Sequence, residues 1–181
     1  MINVIDLNVL NFFYNLSNKQ FYFLNQFMIF LTFLGDDGNI FILLSIILLF
    51  FKKTRTLGML MSVSLLLTLI ISGSLKHIFH RPRPFEYFPN LNILINKPSS
   101  SSFPSGHASA SFAAFGVFLF TKNKYKLLVF IIALLISLSR LYLCVHYLSD
   151  VVFGSFLGLF IALIVIQFYN KMIKNNTNSN F

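Results

Sequence analysis

The chain is poor in charge: only 10% of its 181 residues are Asp, Glu, Lys or Arg, whereas 56% are hydrophobic. A soluble domain carries about 25% charged residues, so this composition cannot cover a solvated surface and excludes an ordinary soluble protein. The single cysteine, Cys144, excludes an internal disulfide and a metal site built from cysteines. Tryptophan is absent, but phenylalanine is abundant, with 24 residues. The composition predicts a protein that resides in a membrane.

Acidic residues are scarce, with five against 14 basic residues and a formal net charge of +9. A basic protein can bind nucleic acid, but here the basic residues form short clusters between apolar runs and no long basic face. Anionic lipid head groups and an anionic substrate explain such clusters better. We therefore expect the lipid bilayer and an anionic substrate as partners, and no nucleic acid.

Six charge-free apolar intervals follow one another along the chain: residues 20–35, 38–51, 56–75, 108–121, 127–139 and 151–170. We interpret them as six transmembrane helices of an all-α bundle that forms one domain over residues 1–181. Residues 3–15 place apolar groups at helical spacing with Asn and Asp between them, which predicts an interfacial helix within residues 1–18. No cleavable signal sequence is recognisable, and the polar tail at 175–181 is expected to be flexible.

Several of these intervals are shorter than the roughly 20 residues that a spanning helix needs. The fifth stops at Arg140, but the apolar pattern resumes after it, so we expect this helix to continue past an arginine that faces the bundle interior. For the second and fourth intervals, we expect flanking lysines that reach the interface and continuation of the helix to supply the missing length.

The basic residues also predict an orientation. They gather between the second and third intervals, between the fourth and fifth, after the sixth and, with Lys19, before the first. The positive-inside rule then places these connections and both termini in the cytoplasm. The connections at 36–37, 76–107 and 140–150 would face outward. These outward segments contain nearly all the unusual residues of the chain.

The long polar stretch at 80–106 contains four prolines before Pro104, and a loop of this length in a compact protein is usually functional. It ends in Phe-Pro-Ser-Gly-His, which a run of small apolar residues follows, and this pattern predicts a turn that opens a helix. The first turn of a helix has unpaired N–H groups that can bind an anion. Ser105 can cap the helix or contact an oxyanion, Gly106 lets the backbone approach a ligand, and His107 would stand beside the anion.

Lysine and arginine residues exceed the acids among the outward segments. Lys76 and Arg140 lie at the edges of apolar helices, where a cation at the centre of a span costs about 2.5–3.5 kcal/mol and usually has a partner. The surplus of cations indicates a bound anion, and phosphate fits because guanidinium groups bind its oxygens in pairs. Arg83 belongs to the same set. Arg81 can contact either the substrate or lipid phosphates.

His146 and Asp150 are four residues apart, so on a helix they would share one face. The carboxylate can then accept the proton of one ring nitrogen and leave the other nitrogen free to attack. His107, on a different element, can give a proton to a leaving oxygen. With the cations, these groups describe phosphoryl transfer without a metal or other cofactor. The simpler alternative is that the pair is a surface contact or cap, and we interpret His77 and His80 as structural.

These residues resemble the signatures of the type 2 phosphatidic acid phosphatase superfamily. Lys-x6-Arg-Pro begins at Lys76, Pro-Ser-Gly-His ends at His107, and Ser-Arg-x5-His-x3-Asp ends at Asp150, all without a mismatch. The resemblance implies a six-helix membrane fold with the active site at the outer face. It also implies that His146 is the phosphorylated nucleophile, Asp150 its orienting partner and His107 the general acid. The residues that it implies for phosphate binding are Lys76, Arg83, Ser105, Gly106 and Arg140.

Small bacterial members of this superfamily look most similar, which implies a bacterial inner membrane and undecaprenyl pyrophosphate as the substrate. The short outward loops suit a lipid whose head group is little more than phosphate. Phosphatidylglycerol phosphate, phosphatidic acid and the phosphate of lipid A would fit the same site. A non-catalytic phospholipid-binding carrier would need the cations but not the pairing of His146 with Asp150. A vanadate-dependent peroxidase shares the anion site but is soluble.

Overall fold

The computed structural model describes residues 2–19, 21–91 and 93–178. Over these ranges the chain is all-helical, with no β-strand, which confirms the predicted fold class. A 3₁₀ turn, Asp36–Gly38, joins two of the helices. The helices in chain order are α1 (Val4–Ser17), α2 (Tyr22–Gly35), α3 (Asn39–Phe50), α4 (Arg55–Phe79), α5 (Pro84–Tyr87), α6 (Gly106–Phe120), α7 (Lys126–Tyr142) and α8 (Leu148–Asn178).

The six predicted apolar intervals correspond to α2, α3, α4, α6, α7 and α8, so the predicted set of six helices is confirmed. As expected, α7 continues past Arg140, and this arginine is buried. α6 begins at Gly106 because the side chain of Ser105 accepts a hydrogen bond from the Ala108 amide and caps the helix. α3 ends at Phe50 and gains none of the expected extra length.

The helices differ in whether they can cross a bilayer alone. Two segments are long and apolar enough to do so, Arg55–Tyr87 and Leu148–Asn176. α2 and α3 reach that length only as a pair, with a 50° bend between them. α6 has 15 residues and α7 has 17, which gives lengths of about 22 and 26 Å against a hydrocarbon core of about 30 Å.

α6 is the central helix and packs against α4, α7 and α8. Its contact with α8 is close because small residues face each other. A Cβ at Gly158 would lie 2.2 Å from the Ser109 carbonyl oxygen and 2.6 Å from the Ala113 nitrogen, and one at Gly154 would lie 2.7 Å from the Ser105 carbonyl oxygen. Small residues of this kind let helix backbones approach each other in membranes. The packing fixes the start of α8 beside the start of α6.

α1 lies at the end of the bundle where α4 ends and where α6 and α8 begin, which we call the site end. Its buried Asp6 forms an ion pair with Arg81 at 2.9 Å and accepts hydrogen bonds from the amide and hydroxyl of Ser149 at 2.9 and 2.8 Å. Val4 and Phe12 on the same helix are exposed. This combination of a docked polar group and exposed apolar side chains agrees with the predicted interfacial helix.

α2 begins at the site end and ends beside the start of α6. Near its start, Asn25 accepts a hydrogen bond from the hydroxyl of Tyr142 at the end of α7. At its end, Gly35 packs against Ile136, which lies six residues earlier in α7. α3 continues after the bend toward the far end of the bundle, where the turn at 51–54 leads into α4. The α2–α3 pair therefore passes through the bundle once, as a bent unit.

The two ends of the described chain consequently lie at opposite ends of the bundle. α1 is held at the site end by the ion pair of Asp6 with Arg81, whereas α8 begins at the site end and extends for 31 residues. Both termini were predicted on one side of the membrane, whereas Lys19 follows α1 at the site end of the bundle. α8 also continues through residues 175–178, where a flexible tail was expected; the rest of that tail lies outside the described residues.

Candidate active site

The three motif segments surround one cavity of about 560 Å³ at the site end. The predicted catalytic and phosphate-binding residues that line it are His107, His146, Lys76, Arg83, Gly106 and Arg140. Asp150 and Ser105 are fully buried and lie behind the wall of this cavity. The structure therefore brings all the predicted site residues together, although two of them do not face the cavity.

His146 lies in the turn between α7 and α8, and Asp150 lies in the first turn of α8. Because His146 precedes the helix, the two residues do not share one helical face. This differs from the expectation based on their spacing. Instead the Asp150 carboxylate caps α8 and accepts a hydrogen bond from the Tyr147 amide at 2.9 Å. Its Oδ2 lies 3.6 Å from His146 Nδ1, and the Ser102 hydroxyl donates to the same oxygen at 2.5 Å. The ring is thus held with Nδ1 toward the carboxylate.

Arg83 lies beside the other ring nitrogen of His146. Its Nη1 is 3.3 Å from His146 Nε2 and donates to the Val145 carbonyl at 2.9 Å. The remaining donors bind Ser100, with Nε 2.7 Å from its carbonyl oxygen and Nη2 3.1 Å from its hydroxyl. These bonds fix a buried guanidinium against the nucleophile candidate. A phosphate bound by Arg83 would therefore lie next to Nε2.

The serine run at 99–102 holds the cations in place. Lys76 donates through Nζ to the Ser101 carbonyl at 2.6 Å, and the Ser101 hydroxyl donates back to the Lys76 carbonyl at 2.9 Å. On the opposite wall, Arg140 donates to the hydroxyl of Thr32 on α2. Its Nε is buried and has no hydrogen-bond partner among the described residues. Arg140 thus brings a buried guanidinium to the wall of the cavity.

The start of α6 brings a helix N-terminus and His107 to the same cavity. A Cβ at Gly106 would meet no atom within 4 Å, so the backbone is open to a ligand there. The amide of Ser105 donates to the Asp150 carbonyl at 3.1 Å, which ties this start to α8. His107 Nε2 lies 3.0 Å from Asp36 Oδ1 and 3.2 Å from the Thr32 carbonyl oxygen. The two histidines thus lie on different elements around one cavity, as predicted.

Burial lowers the pKa of the His146 imidazole well below its usual range, and neighbouring cations, with Arg83 first, lower this pKa further. The imidazole is therefore neutral near pH 7. Nδ1 faces the Asp150 carboxylate and carries the proton, which leaves the lone pair on Nε2. The donation from Arg83 to Nε2 requires the same tautomer. The surroundings thus favour the form of His146 that can act as a nucleophile.

Arg81 was predicted to contact either the substrate or lipid phosphates, but its guanidinium binds acidic side chains instead. It donates to Asp150 Oδ1, to the Ser149 hydroxyl at 2.8 Å and to Asp6 Oδ2 at 2.9 Å, and it lies over the Tyr147 ring. It does not line the cavity of the motif residues. It opens the sequence Arg-Pro-Arg-Pro at 81–84, which signals a stiff basic loop, but no local pattern predicts an acidic partner 75 residues away.

Other residues contribute to the site without belonging to a motif. Asp36 and Thr32 contact His107, and Ser102 contacts both His146 and Asp150. The only sequence signals were that the Asp-Asp pair at 36–37 falls in an outward connection and that the serines belong to an unusual run. His77 and His80 are exposed and do not line the cavity, which agrees with their interpretation as structural.

An apolar helical bundle with a cationic cavity and two histidines at one end defines a membrane phosphatase of lipid phosphates. The family model described as the PAP2 superfamily matches residues 57–174, and the chain belongs to this superfamily. The matched region contains all three motif segments.

Similar proteins act on lipid phosphates of more than one kind. An undecaprenyl-diphosphatase of Sulfolobus acidocaldarius is 32% identical over 84% of this chain and 74% of its own. A phosphatidylglycerophosphatase B of Bacillus subtilis is 34% identical over 82% of this chain and 77% of its own. The crystal structure of Aquifex aeolicus LpxE superposes with a TM-score of 0.75 and 28% identity, covering 87% of this chain and 94% of that one. The protein is therefore an enzyme, a membrane lipid phosphatase.

Proposed function

We propose that this protein hydrolyses undecaprenyl pyrophosphate through a phosphohistidine intermediate on His146, without a metal ion. One observation carries the proposal: His146 has Nδ1 toward the Asp150 carboxylate and Nε2 beside the Arg83 guanidinium, and it lines the cavity at the site end. An oriented, neutral nucleophile next to a fixed cation is what an attack on phosphorus requires.

In the first step, the Nε2 lone pair of His146 attacks the terminal phosphorus, and an N–P bond forms while the bond from phosphorus to the bridging oxygen breaks. His107 gives its proton to that departing oxygen. Asp150 stabilises the positive charge that develops on the His146 ring through its carboxylate, whose Oδ2 lies 3.6 Å from Nδ1. The products of this step are the lipid monophosphate and a phosphorylated His146.

In the second step, water attacks the phosphorus of the phosphohistidine. His107, now neutral, accepts a proton from that water, the N–P bond breaks and its electron pair returns to Nε2 of His146. Inorganic phosphate leaves and both histidines regain their starting protonation. The net reaction consumes one water and releases one phosphate for each lipid.

Phosphate binding is proposed to come from three cations and the start of α6. Lys76, Arg83 and Arg140 line the cavity, and the open backbone at Gly106 adds donors at the positive end of a helix. Ser105 supports this arrangement from behind. It is fully buried, caps α6 through its hydroxyl and binds α8 through its amide, so we propose that it holds the helix start in place.

The choice of undecaprenyl pyrophosphate rests on the cavity and on the relatives. The cavity is lined by cations, short polar side chains and apolar residues such as Ile29 and Phe33, and α1 and the connection at 80–105 add no further domain above it. That favours a head group made of phosphate alone. Phosphatidylglycerol phosphate is the main competitor, because a relative of similar identity is named for it.

For the location, we propose that the site end faces outward across a bacterial cytoplasmic membrane. The basic residues of the turns at 51–54 and 121–125 lie at the far end of the bundle, and Lys171 and Lys174 lie toward the end of α8. The positive-inside rule places that end in the cytoplasm. The C-terminus then lies inside, and α1 lies on the outer surface beside the site.

The proposed function is tested with purified protein in detergent, with EDTA present. Phosphate release is measured from undecaprenyl pyrophosphate, phosphatidylglycerol phosphate and phosphatidic acid, and the phosphoenzyme is trapped from a terminally ³²P-labelled substrate. We expect the highest kcat/KM on undecaprenyl pyrophosphate, and an acid-labile, base-stable phosphoenzyme. His146→Gln should abolish both signals. His77→Gln, which alters an exposed histidine outside the cavity, should leave both unchanged.

Three results would contradict parts of this proposal. A strict requirement for a divalent cation would exclude the metal-independent mechanism. Normal phosphoenzyme formation in His146→Gln would exclude this histidine as the nucleophile. A higher kcat/KM on phosphatidylglycerol phosphate would reassign the substrate while leaving the chemistry unchanged.

A further inference from the structure

Asp36 lies in the 3₁₀ turn between α2 and α3, far from the three motifs in sequence, yet its carboxylate reaches the general-acid candidate. Oδ1 is 3.0 Å from Nε2 of His107, and the Thr32 carbonyl oxygen is 3.2 Å from the same nitrogen. Both partners can only accept hydrogen bonds. Nε2 must therefore carry a hydrogen, so this nitrogen has no free lone pair to offer the substrate.

This arrangement decides which ring nitrogen can serve the reaction. With Nε2–H bound to Asp36 and Thr32, the other nitrogen, Nδ1, is left for the substrate, and it makes no hydrogen bond within the described ranges. His107 lines the cavity that contains His146. The neutral ring would thus offer Nδ1 as a base, and the protonated ring would offer Nδ1–H as an acid.

The close approach of the chain at Gly35 supports the same relationship independently. A Cβ at this position would lie 2.9 Å from His107 Cδ2 and 2.5 Å from Ile136 Cγ2. Both distances are shorter than non-bonded carbon atoms tolerate. Only glycine allows α2 to end against the imidazole, and this ending places the next residue, Asp36, at Nε2.

We propose that Asp36 is a positioning residue that holds His107 with Nδ1 toward the departing oxygen and stabilises the imidazolium form. The inference rests on the proposed function, in which His107 is the proton donor. A carboxylate that accepts a ring N–H orients the imidazole and favours its positive charge. The Asp36 carboxylate is needed because the positive charge of Arg140, which binds the Thr32 side chain, disfavours a positive charge on the nearby His107 ring. A bound phosphate is also negatively charged, so it would likewise offset the positive charge of Arg140.

The role makes a specific kinetic prediction, because proton donation matters most when the departing oxygen is basic. General acid catalysis contributes roughly 10²- to 10⁴-fold when it is required. A variant that weakens the acid should therefore lose more activity on a substrate with a basic leaving group than on one with an acidic leaving group. A variant that only disturbs folding or phosphate binding should lose the same factor on both.

The experiment uses the purified full-length protein and two aryl phosphates of similar size, phenyl phosphate and 4-nitrophenyl phosphate. Their leaving groups differ mainly in basicity, and the readout is the ratio of the two kcat/KM values, which report the step in which the leaving group departs. Asp36→Asn is compared with His107→Ala, with the conservative variant Asp36→Glu and with a matched control, Glu86→Gln. Glu86 is an exposed acid at the same end of the bundle that does not line the cavity. Thermal unfolding in detergent is measured for each variant.

We expect Asp36→Asn to lower kcat/KM on phenyl phosphate by roughly 10- to 100-fold and to lower kcat/KM on 4-nitrophenyl phosphate several-fold less, as a partial loss of acid catalysis requires. His107→Ala should show the same selectivity more strongly, Asp36→Glu should recover part of the loss, and Glu86→Gln should resemble the unmodified protein. Equal losses on both substrates in Asp36→Asn, with selectivity retained in His107→Ala, would overturn the role of Asp36 alone. Equal losses in His107→Ala would overturn the proposed acid itself and the inference with it.

Discussion

The guanidinium of Arg81 joins the N-terminal helix to the catalytic pair. Its Nη1 donates to Asp150 Oδ1, and its Nη2 lies 2.9 Å from Oδ2 of the buried Asp6 on α1. Asp6 also binds the amide of Ser149, the residue before Asp150, at 2.9 Å. One oxygen of Asp150 is thus held by Arg81, while the other lies 3.6 Å from His146. Charges that are buried in this way are screened little by salt.

Replacing Arg81 should lower turnover more than it lowers substrate affinity, because this residue orients Asp150 and does not line the cavity. Losing a charge-assisted hydrogen bond costs about 1.5–3 kcal/mol, and this corresponds to a fall in kcat of roughly 10- to 150-fold in Arg81→Gln. Asp6→Asn should act in the same direction with a smaller effect. Steady-state kinetics on undecaprenyl pyrophosphate test both.

A matched control for these variants is Lys53→Gln, which removes an exposed cation at the far end of the bundle. It should leave kcat and KM unchanged. A large rise in KM with constant kcat in Arg81→Gln would contradict the positioning role and would indicate that Arg81 binds the substrate directly.

The pH profile should reflect the neutral state of His146. Burial first, and then the neighbouring cations, hold the pKa of this imidazole well below its usual range. The nucleophile is the neutral form, so the acid limb of the profile arises as the pH falls through the lowered pKa and Nε2 becomes protonated, while deprotonation of His107 limits activity at higher pH. The acid limb of kcat/KM should therefore lie below about 6.5, the ordinary value for histidine. Arg83→Gln removes the cation that lowers this pKa most, so its acid limb should move to higher pH.

This pH prediction is checked with the profile of kcat/KM for the unmodified protein and Arg83→Gln, measured in EDTA with one substrate. The overall rate of the variant will fall because Arg83 also binds phosphate, so the comparison concerns the position of the limb and not its height. An acid limb that stays in place, or that moves to lower pH, would contradict the electrostatic account of His146.

The helices and the motif residues could be predicted because their signals are local. Apolar runs mark α4 and α8, and the spacing within each motif places its residues on helix ends that meet at one cavity. The geometry of His146 and Asp150 was only partly predictable. Their four-residue separation indicates proximity, but His146 precedes α8, and Asp150 in the first turn of α8 accepts a hydrogen bond from the Tyr147 amide, three residues before it.

The supporting residues could not be predicted because their contacts join distant parts of the chain. Asp6 meets Arg81 across 75 residues, and Asp36 meets His107 across 71. Neither contact produces a periodicity or a motif in the sequence. The first of these ion pairs holds α1 at the site end, a position that the count of lysines does not predict.

The position of α1 can be tested by accessibility in intact cells. Tyr14 on α1 donates to the Asn90 carbonyl at 3.2 Å, so α1 and the long connection should lie on the same side. In a Cys144→Ala background, Asn15→Cys and Asn90→Cys should both react with an impermeant maleimide, whereas Lys124→Cys, in the turn between α6 and α7, should react only after permeabilisation. Protection of Asn15→Cys with labelling of Asn90→Cys would contradict the placement of α1.

The close packing of α8 on α6 predicts a strong effect of a single methyl group. In Gly154→Ala, the new Cβ would lie 2.7 Å from the Ser105 carbonyl oxygen and 2.9 Å from the Ser109 hydroxyl, so α8 must shift away from the start of α6. Overpacking of this kind costs about 1–3 kcal/mol. Because His107 follows Ser105 on α6 while Asp150 begins α8, the shift should also separate the two halves of the site and lower kcat.

Gly73→Ala on α4 is the matched control, because its Cβ would meet nothing within 4 Å. Alanine favours a helix over glycine by about 1 kcal/mol, so this variant should be neutral or slightly more stable. Thermal unfolding and kcat on undecaprenyl pyrophosphate are measured for both variants in the same detergent. Equal stability and equal kcat in Gly154→Ala and Gly73→Ala would contradict this prediction. The contact between α6 and α8 would then not determine the relative position of the catalytic groups.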